Sequence, residues 1–290
     1  MDSIGFHAHK FVIFDCVPDS EMQTGRSIEE NLNDFINARN SNLLCERYKC
    51  ESEEDYFSVI DRIKNDLISS GIVSYIHIEG HGSKEALFFP GGHSIGWSAV
   101  FEDFRTINIL SKNNLFFSSG ACESAYAYKS ASITKACPVF GFLAPEKKVE
   151  AGSVNDGFIA FYKSLIKNES LNDAFNAFAE ATDGKKYAFV FSPHIFERAA
   201  FNYLTQHCMG QGRKQRLENV VSQAAEETGL PVNKVRKYIK AEFSKPQALA
   251  LKGFHKTFMM CDLYPENSTR FNFDAVKFEQ SVRSGKLKIS

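Results

Sequence analysis

Two short motifs carry the residues best suited to chemistry. Gly80-His81-Gly82 follows one apolar run, and Ser119-Gly120-Ala121-Cys122-Glu123-Ser124 follows another. A thiol becomes a strong nucleophile near neutral pH when a nearby base takes its proton. His81 and Cys122, forty-one positions apart, supply such a pair if the two runs are neighbouring parallel strands. Cys122 would then attack a carbonyl, and His81 would take the thiol proton and later protonate the leaving amine. The oxyanion requires preorganised N–H donors, for which the backbone amides of Gly82 and Cys122 are the candidates. A glycine beside the base also lets backbone approach a substrate closely.

The pattern around the motifs predicts the elements that must position them. Phe11-Val12-Ile13-Phe14 reads as a buried strand. Ser27 to Glu30 forms a capping-box pattern, followed by Ile28, Leu32, Phe35 and Ile36 at helical spacing. Leu43-Leu44-Cys45 suggests a second strand, and Ser52 with Asp55 starts a second helix that Gly71 ends. Val73 to Ile78 is the strand before His81, and Ala86 to Ile95 carries a hairpin signature around Pro90-Gly91-Gly92. Val100 to Leu110 reads as a helix, Leu115-Phe116-Phe117 as the strand before Cys122, and Pro138 to Phe142 as another strand. Helices near Val154 to Ile166 and Leu171 to Ala181 follow, with a last strand at Tyr187 to Phe191. This alternation predicts an α/β fold with a mostly parallel sheet flanked by helices. Sites in such sheets lie beyond the carboxyl ends of the strands, where both motifs fall.

Strand signals fade after residue 191, so the expected division is 1–191 for the sheet domain and 192–290 for a mainly helical C-terminal region. His194 to His207 reads as a helix, and Gly210 to Lys214 as a loop after it.

The bulk numbers exclude several classes. A net charge of −1 over 290 residues gives no global attraction to nucleic acid or anionic membrane. The seven cysteines are odd in number and form no C-x-x-C pair, which argues against a disulfide framework or a zinc ribbon and for a reducing, cytoplasmic setting. The N-terminal stretch lacks the basic and apolar segments of a secretory signal, and no apolar run approaches membrane-spanning length. No metal or cofactor is expected.

With these residues in view, the chain resembles the CHAT branch of the caspase–separase (clan CD) cysteine peptidases. The resemblance covers roughly residues 8–190. It rests on the two motifs and extends to Val139 to Phe142, Gly157 to Tyr162 and Ser170 to Phe175. It implies a caspase-like fold and cysteine endopeptidase activity, with His81 as base and Cys122 as nucleophile. A regulated protease that cuts a specific protein partner, in a setting such as bacterial defence, fits that family. The resemblance also implies that the first specificity pocket draws on the end of the first strand and on the segment around the cysteine. Asp15 and Glu123 hold those positions, and a carboxylate there would favour a basic side chain before the scissile bond.

Three other features have their own readings. Glu79 would line the cleft mouth, and His77 would be a packed core histidine. The segment Gly120 to Ser124 is also similar to the nucleophile elbow of class I glutamine amidotransferases, for which His194 and Glu197 would complete the site, although Ser124 stands where that elbow has glycine. The segment Ala224 to Ile239 resembles a DNA-binding helix-turn-helix, with Lys234, Arg236, Lys237 and Lys240 as phosphate contacts. Between Gln211 and Lys245 there are eight Lys/Arg against four Asp/Glu. The same segment also reads as a plain helical hairpin packed on the sheet domain, or as a surface that receives a protein partner. Phe254, Phe258, Met259, Met260, Leu263 and Tyr264 form an apolar cluster expected to pack as core.

Overall fold

The structure, a computed structural model, describes residues 8–288. These divide into two compact units: residues 8–131 with 137–192, and residues 132–136 with 193–288.

The first unit runs β1 (Lys10–Cys16), α1 (Thr24–Ala38), β2 (Leu44–Lys49), α2 (Glu53–Ser70), β3 (Ser74–Gly82), β4 (Ala86–Phe88), β5 (Ser94–Gly96), α3 (Trp97–Leu110) and β6 (Phe116–Ser119). A 3-10 turn at Ser124–Ser130 precedes β7 (Gly141–Pro145), α4 (Ala151–Asn168), α5 (Leu171–Ala181) and β8 (Tyr187–Phe191). The main sheet order is β2-β1-β3-β6-β7-β8, parallel except for β8. The chain is therefore α/β, with a mostly parallel sheet flanked by helices, as the alternation predicts.

Helices α1 and α4 pack together, as do α2 and α3. A parallel strand covered on both faces needs a continuous apolar run rather than an alternating one. Phe11 to Phe14, Tyr75, Ile76, Phe116 and Phe117 are all buried accordingly. Edge strand β2 pairs only with β1 and is half-buried, so it carries Glu46, Arg47 and Lys49 where a central strand could not. That is why its sequence signal reaches only as far as Cys45.

Two local expectations change. Helix α1 begins at Thr24, not at the Ser27 capping box. Its first turn is fixed by tertiary contact: the Thr24 hydroxyl donates to Glu79, and Gly25 lies against the Asp15 side chain. By contrast, Ser52 and Asp55 do form the reciprocal capping box of α2, and Gly71 ends that helix in the left-handed conformation.

The second unit is helical: α6 (Ser192–His207), α7 (Gly210–Thr228), α8 (Val232–Phe243), α9 (Ala248–Phe258), α10 (Asn267–Arg270) and α11 (Ala275–Arg283). Gly210 to Lys214 is thus the first turn of α7 rather than a loop, with the reversal at Cys208 and Met209 completed by Gly210 in the left-handed conformation. Phe258, Met259 and Met260 are fully buried, whereas Leu263 is exposed. Phe196, His255, Phe258 and Phe273 form a ring cluster with centroid separations of 5.0–5.6 Å.

Burial in that cluster lowers His255 from 6.5 to about 4, because desolvation penalises the imidazolium. Between those values the unfolded chain binds the proton more readily than the folded one. The resulting stability is present above pH 6.5 and is lost as pH falls towards 4. Urea denaturation should show a lower midpoint at about pH 4.5 than at about pH 7, and His255→Leu should flatten part of that fall. An unchanged pH dependence in the variant would refute this assignment.

Candidate functional site: a cleft at the strand ends

The sheet order reverses around β1: the chain goes from β1 out to β2, then back across to β3. Ligand sites in open α/β sheets form at such a switch, outside the carboxyl ends of the strands. A cleft of about 100 Å³ lies there. Its walls come from the loop after β1 (Val17, Glu21, Met22), the end of β3 (Glu79, Gly80, His81), the turn after β6 (Gly120, Cys122) and Val149 after β7. The residues of the two sequence motifs therefore meet in one place.

His81 is mostly exposed at the cleft mouth. Its Nε2 lies 3.0 and 2.9 Å from the two carboxylate oxygens of Glu21. The Cys122 sulfur accepts the Val149 N–H at 3.5 Å and lies 3.9 Å from the Val149 carbonyl oxygen.

The Cys122 N–H has no hydrogen-bond partner among the described residues. In the β3–β4 ladder the Ser83 N–H donates to Ala86, so by alternation the Gly82 N–H faces away from β4. A Cβ at Gly82 would sit 2.8 Å from the Cys122 carbonyl oxygen, so only glycine lets these two segments approach so closely.

The other thiols are differently placed. Cys16, Cys50, Cys137, Cys208 and Cys261 are buried. Burial pushes Cys45 and Cys137 up to about 12. These are held as neutral thiols, which leaves Cys122 as the thiol presented to a cleft.

Beside His81 and Cys122 lies a buried polar chain. Glu79 is 3% exposed. Its Oε2 accepts from the Thr24 hydroxyl at 2.6 Å, and its Oε1 meets His77 Nε2 at 2.7 Å. His77 Nδ1 is 2.7 Å from the Ser118 hydroxyl, which is 2.8 Å from the Tyr162 hydroxyl. A carboxylate only accepts, so a neutral His77 carries its hydrogen on Nε2 and accepts from Ser118. The donors then run in one direction, from Tyr162 to Glu79. His77 is core-packed against Phe158 and Tyr162, as expected, and also carries this chain.

The two acids expected in the specificity pocket lie elsewhere. Asp15 is fully buried and is not among the residues lining the cleft. Its carboxylate pairs with Arg47 at 2.8 Å and accepts the Val17 N–H at 3.1 Å. Being next to Glu79 in register does not bring it into the cleft, because Arg47 on the adjoining strand takes its charge. Glu123 also lies outside the lining; it adopts the left-handed conformation just before the 3-10 turn and stands 3.8 Å from Lys84. Glu79, expected only at the mouth, is the buried acid of the cleft.

Glu21 and Thr24 were not singled out in the sequence. Neither sits in a motif, and only the fold of the β1–α1 loop brings them to the strand ends. His194 is exposed on α6 in the helical unit and does not line the cleft.

Asp15→Asn should lower stability by about 2 kcal/mol, less than the loss for a fully buried pair because Arg47 keeps Glu29 as a partner. It should leave substrate selectivity unchanged. Thermal unfolding together with kcat/KM on matched peptides checks both; lost selectivity without lost stability would return Asp15 to the cleft.

Among the described residues no group of acidic, histidine or cysteine side chains is arranged to hold a metal ion. No helix there is long and apolar enough to cross a membrane. No protein-family model matches the chain, and the search of curated proteins likewise returns no match.

Proposed function

We propose that the chain is a cysteine endopeptidase acting through a Cys122–His81 dyad. The observation that carries this is the shared cleft: a half-exposed thiol and an imidazole reach it from the ends of neighbouring parallel strands. The resemblance to the caspase–separase peptidases supports the same roles. Cys122 sulfur bonds to the carbonyl carbon while His81 takes its proton. The amides of Cys122 and Gly82 receive the oxyanion. Collapse breaks the C–N bond, His81 protonates the departing amine, and water hydrolyses the thioester. A specific protein partner, cut in a reducing cytoplasm, is the substrate that suits this reading.

The cleft supports a basic residue before the scissile bond. Its lining holds two carboxylates, Glu21 and Glu79, and neither lysine nor arginine. With two donors already on Glu79, its remaining lone pairs are free to accept from an incoming cation.

Peptides with Lys, Arg or norleucine before the cleaved bond test this reading. Cys122→Ala and His81→Ala should each abolish cleavage, by at least about 10³-fold. Glu79→Gln should reduce kcat/KM for the cationic peptides by about 30-fold and spare norleucine. Full activity in Cys122→Ala would end the peptidase assignment.

The α7–α8 hairpin favours a second reading, a nucleic-acid contact. Arg236 is spent on Glu218, but Lys234, Lys237 and Lys240 stand exposed on the outer side of α8 beside Tyr238, which is 71% exposed. A duplex-DNA gel shift should then weaken with salt, and the Lys234→Ala, Lys237→Ala double variant should reduce the log–log salt slope by roughly 2. Absence of any salt-dependent shift would remove this reading.

A further inference from the structure

We propose that Glu21 is a positioning residue for His81, holding the imidazole so that Nδ1 is the atom that takes the Cys122 proton. The proposal rests on the dyad reading above and deepens it. Both Glu21 oxygens lie within 3.0 Å of His81 Nε2. A carboxylate can only accept, so Nε2 carries the hydrogen in the neutral ring and Nδ1 is left with its lone pair. A base needs that free lone pair, and a fixed ring plane to direct it.

Stability does not explain the contact. Both side chains are about half exposed, and such pairs contribute little to folding. The loop presenting Glu21 is nonetheless tied down throughout. The Glu21 N–H donates to the Pro18 carbonyl at 3.0 Å. Gln23 Nε2 donates to the carbonyls of Pro18 and Glu21 at 2.8 and 3.0 Å. Lys49 Nζ reaches the Val17 carbonyl at 2.5 Å and Asp19 at 2.7 Å. Side chains from β2 and from the start of α1 thus fix a surface loop whose product is one carboxylate on the ring of His81. Preorganisation of this kind is what a reacting constellation requires of its supporting groups.

The other charged groups near His81 are committed elsewhere. Glu79, two residues earlier on β3, is bonded to Thr24 and His77. Lys84 lies 3.8 Å from Glu123. The remaining titratable side chain of the cleft lining is Cys122 itself.

The test is a double-mutant cycle on the full chain, read by iodoacetamide alkylation of Cys122 followed by peptide mapping. Iodoacetamide is neutral, so a mere change in local charge does not alter its approach. Glu21→Ala should slow alkylation about tenfold in the presence of His81, a part of the roughly 10²–10⁴ that general acid–base assistance supplies. Glu21→Gln keeps an acceptor for Nε2–H and should restore the rate to within about threefold. In the His81→Ala background, Glu21→Ala should have no further effect, because Glu21 acts only through the ring. On the norleucine peptide, whose side chain carries no charge for Glu21 to attract, the loss should appear in kcat, with KM held. An undiminished rate in Glu21→Ala, or an equal loss in both backgrounds, would overturn the proposal. If His81→Ala alone left alkylation unchanged, the dyad itself would fall, which separates that failure from a failure of Glu21.

Discussion

A carboxylate buried at the end of a central parallel strand must be held by donors, and much of the cleft is arranged around that need in Glu79. Unpaired, it would cost several kcal/mol in the low-dielectric interior. Thr24 and His77 provide the donors, and each has consequences further out. The Thr24 contact fixes where α1 begins. His77 needs a proton donor on its other nitrogen, which places Ser118 opposite it on β6 and Tyr162 behind Ser118 on α4. One acid thereby links α1, β3, β6 and α4, elements whose ends frame the cleft that holds His81 and Cys122.

Neighbouring acids with similar burial have opposite fates here. Asp15 and Glu79 are directly paired across β1 and β3. Asp15 faces Arg47 from the edge strand, and its charge is neutralised within the fold. Glu79 is bonded by a hydroxyl and an imidazole, so no lysine or arginine cancels its charge. A carboxylate held by a hydroxyl and an imidazole keeps lone pairs for whatever enters the cleft, whereas Asp15 already spends its own on a guanidinium. The difference comes from which residue stands on the adjoining strand, not from the acid itself.

The sheet was legible from the sequence because burial on both faces leaves uninterrupted apolar runs, as at Phe11 to Phe14 and Phe116-Phe117. His81 and Cys122 were legible because each follows such a run. What sequence did not reveal was set by contacts distant along the chain. The start of α1 depends on Glu79, fifty-five positions away, and so escapes local capping rules. Glu21 lies sixty positions from His81, in a loop without a motif of its own. Asp15 looked like a pocket acid until Arg47 was seen beside it. The glycines at 210 and 212 suggested a loop, yet each serves the start of α7: Gly210 takes the left-handed conformation that turns the chain into the helix, and Gly212 lies against the Gln206 carbonyl, where a Cβ would not fit.

Gly120 adds a constraint of a different kind. A methyl group at that position would lie 2.3 Å from a Glu79 oxygen, the tip of a side chain already held by Thr24 and His77. The two positions therefore behave as one unit of volume: glycine at 120 is the space in which the carboxylate at 79 exists. Divergence at this site therefore has an order: position 120 can gain a side chain only once position 79 has lost its carboxylate. A descendant that exchanged Glu79 for a short neutral residue would release position 120 to accept a side chain, and would in the same change lose its negative cleft floor. The floor's charge and the width of the turn before the thiol are thus inherited as a single character.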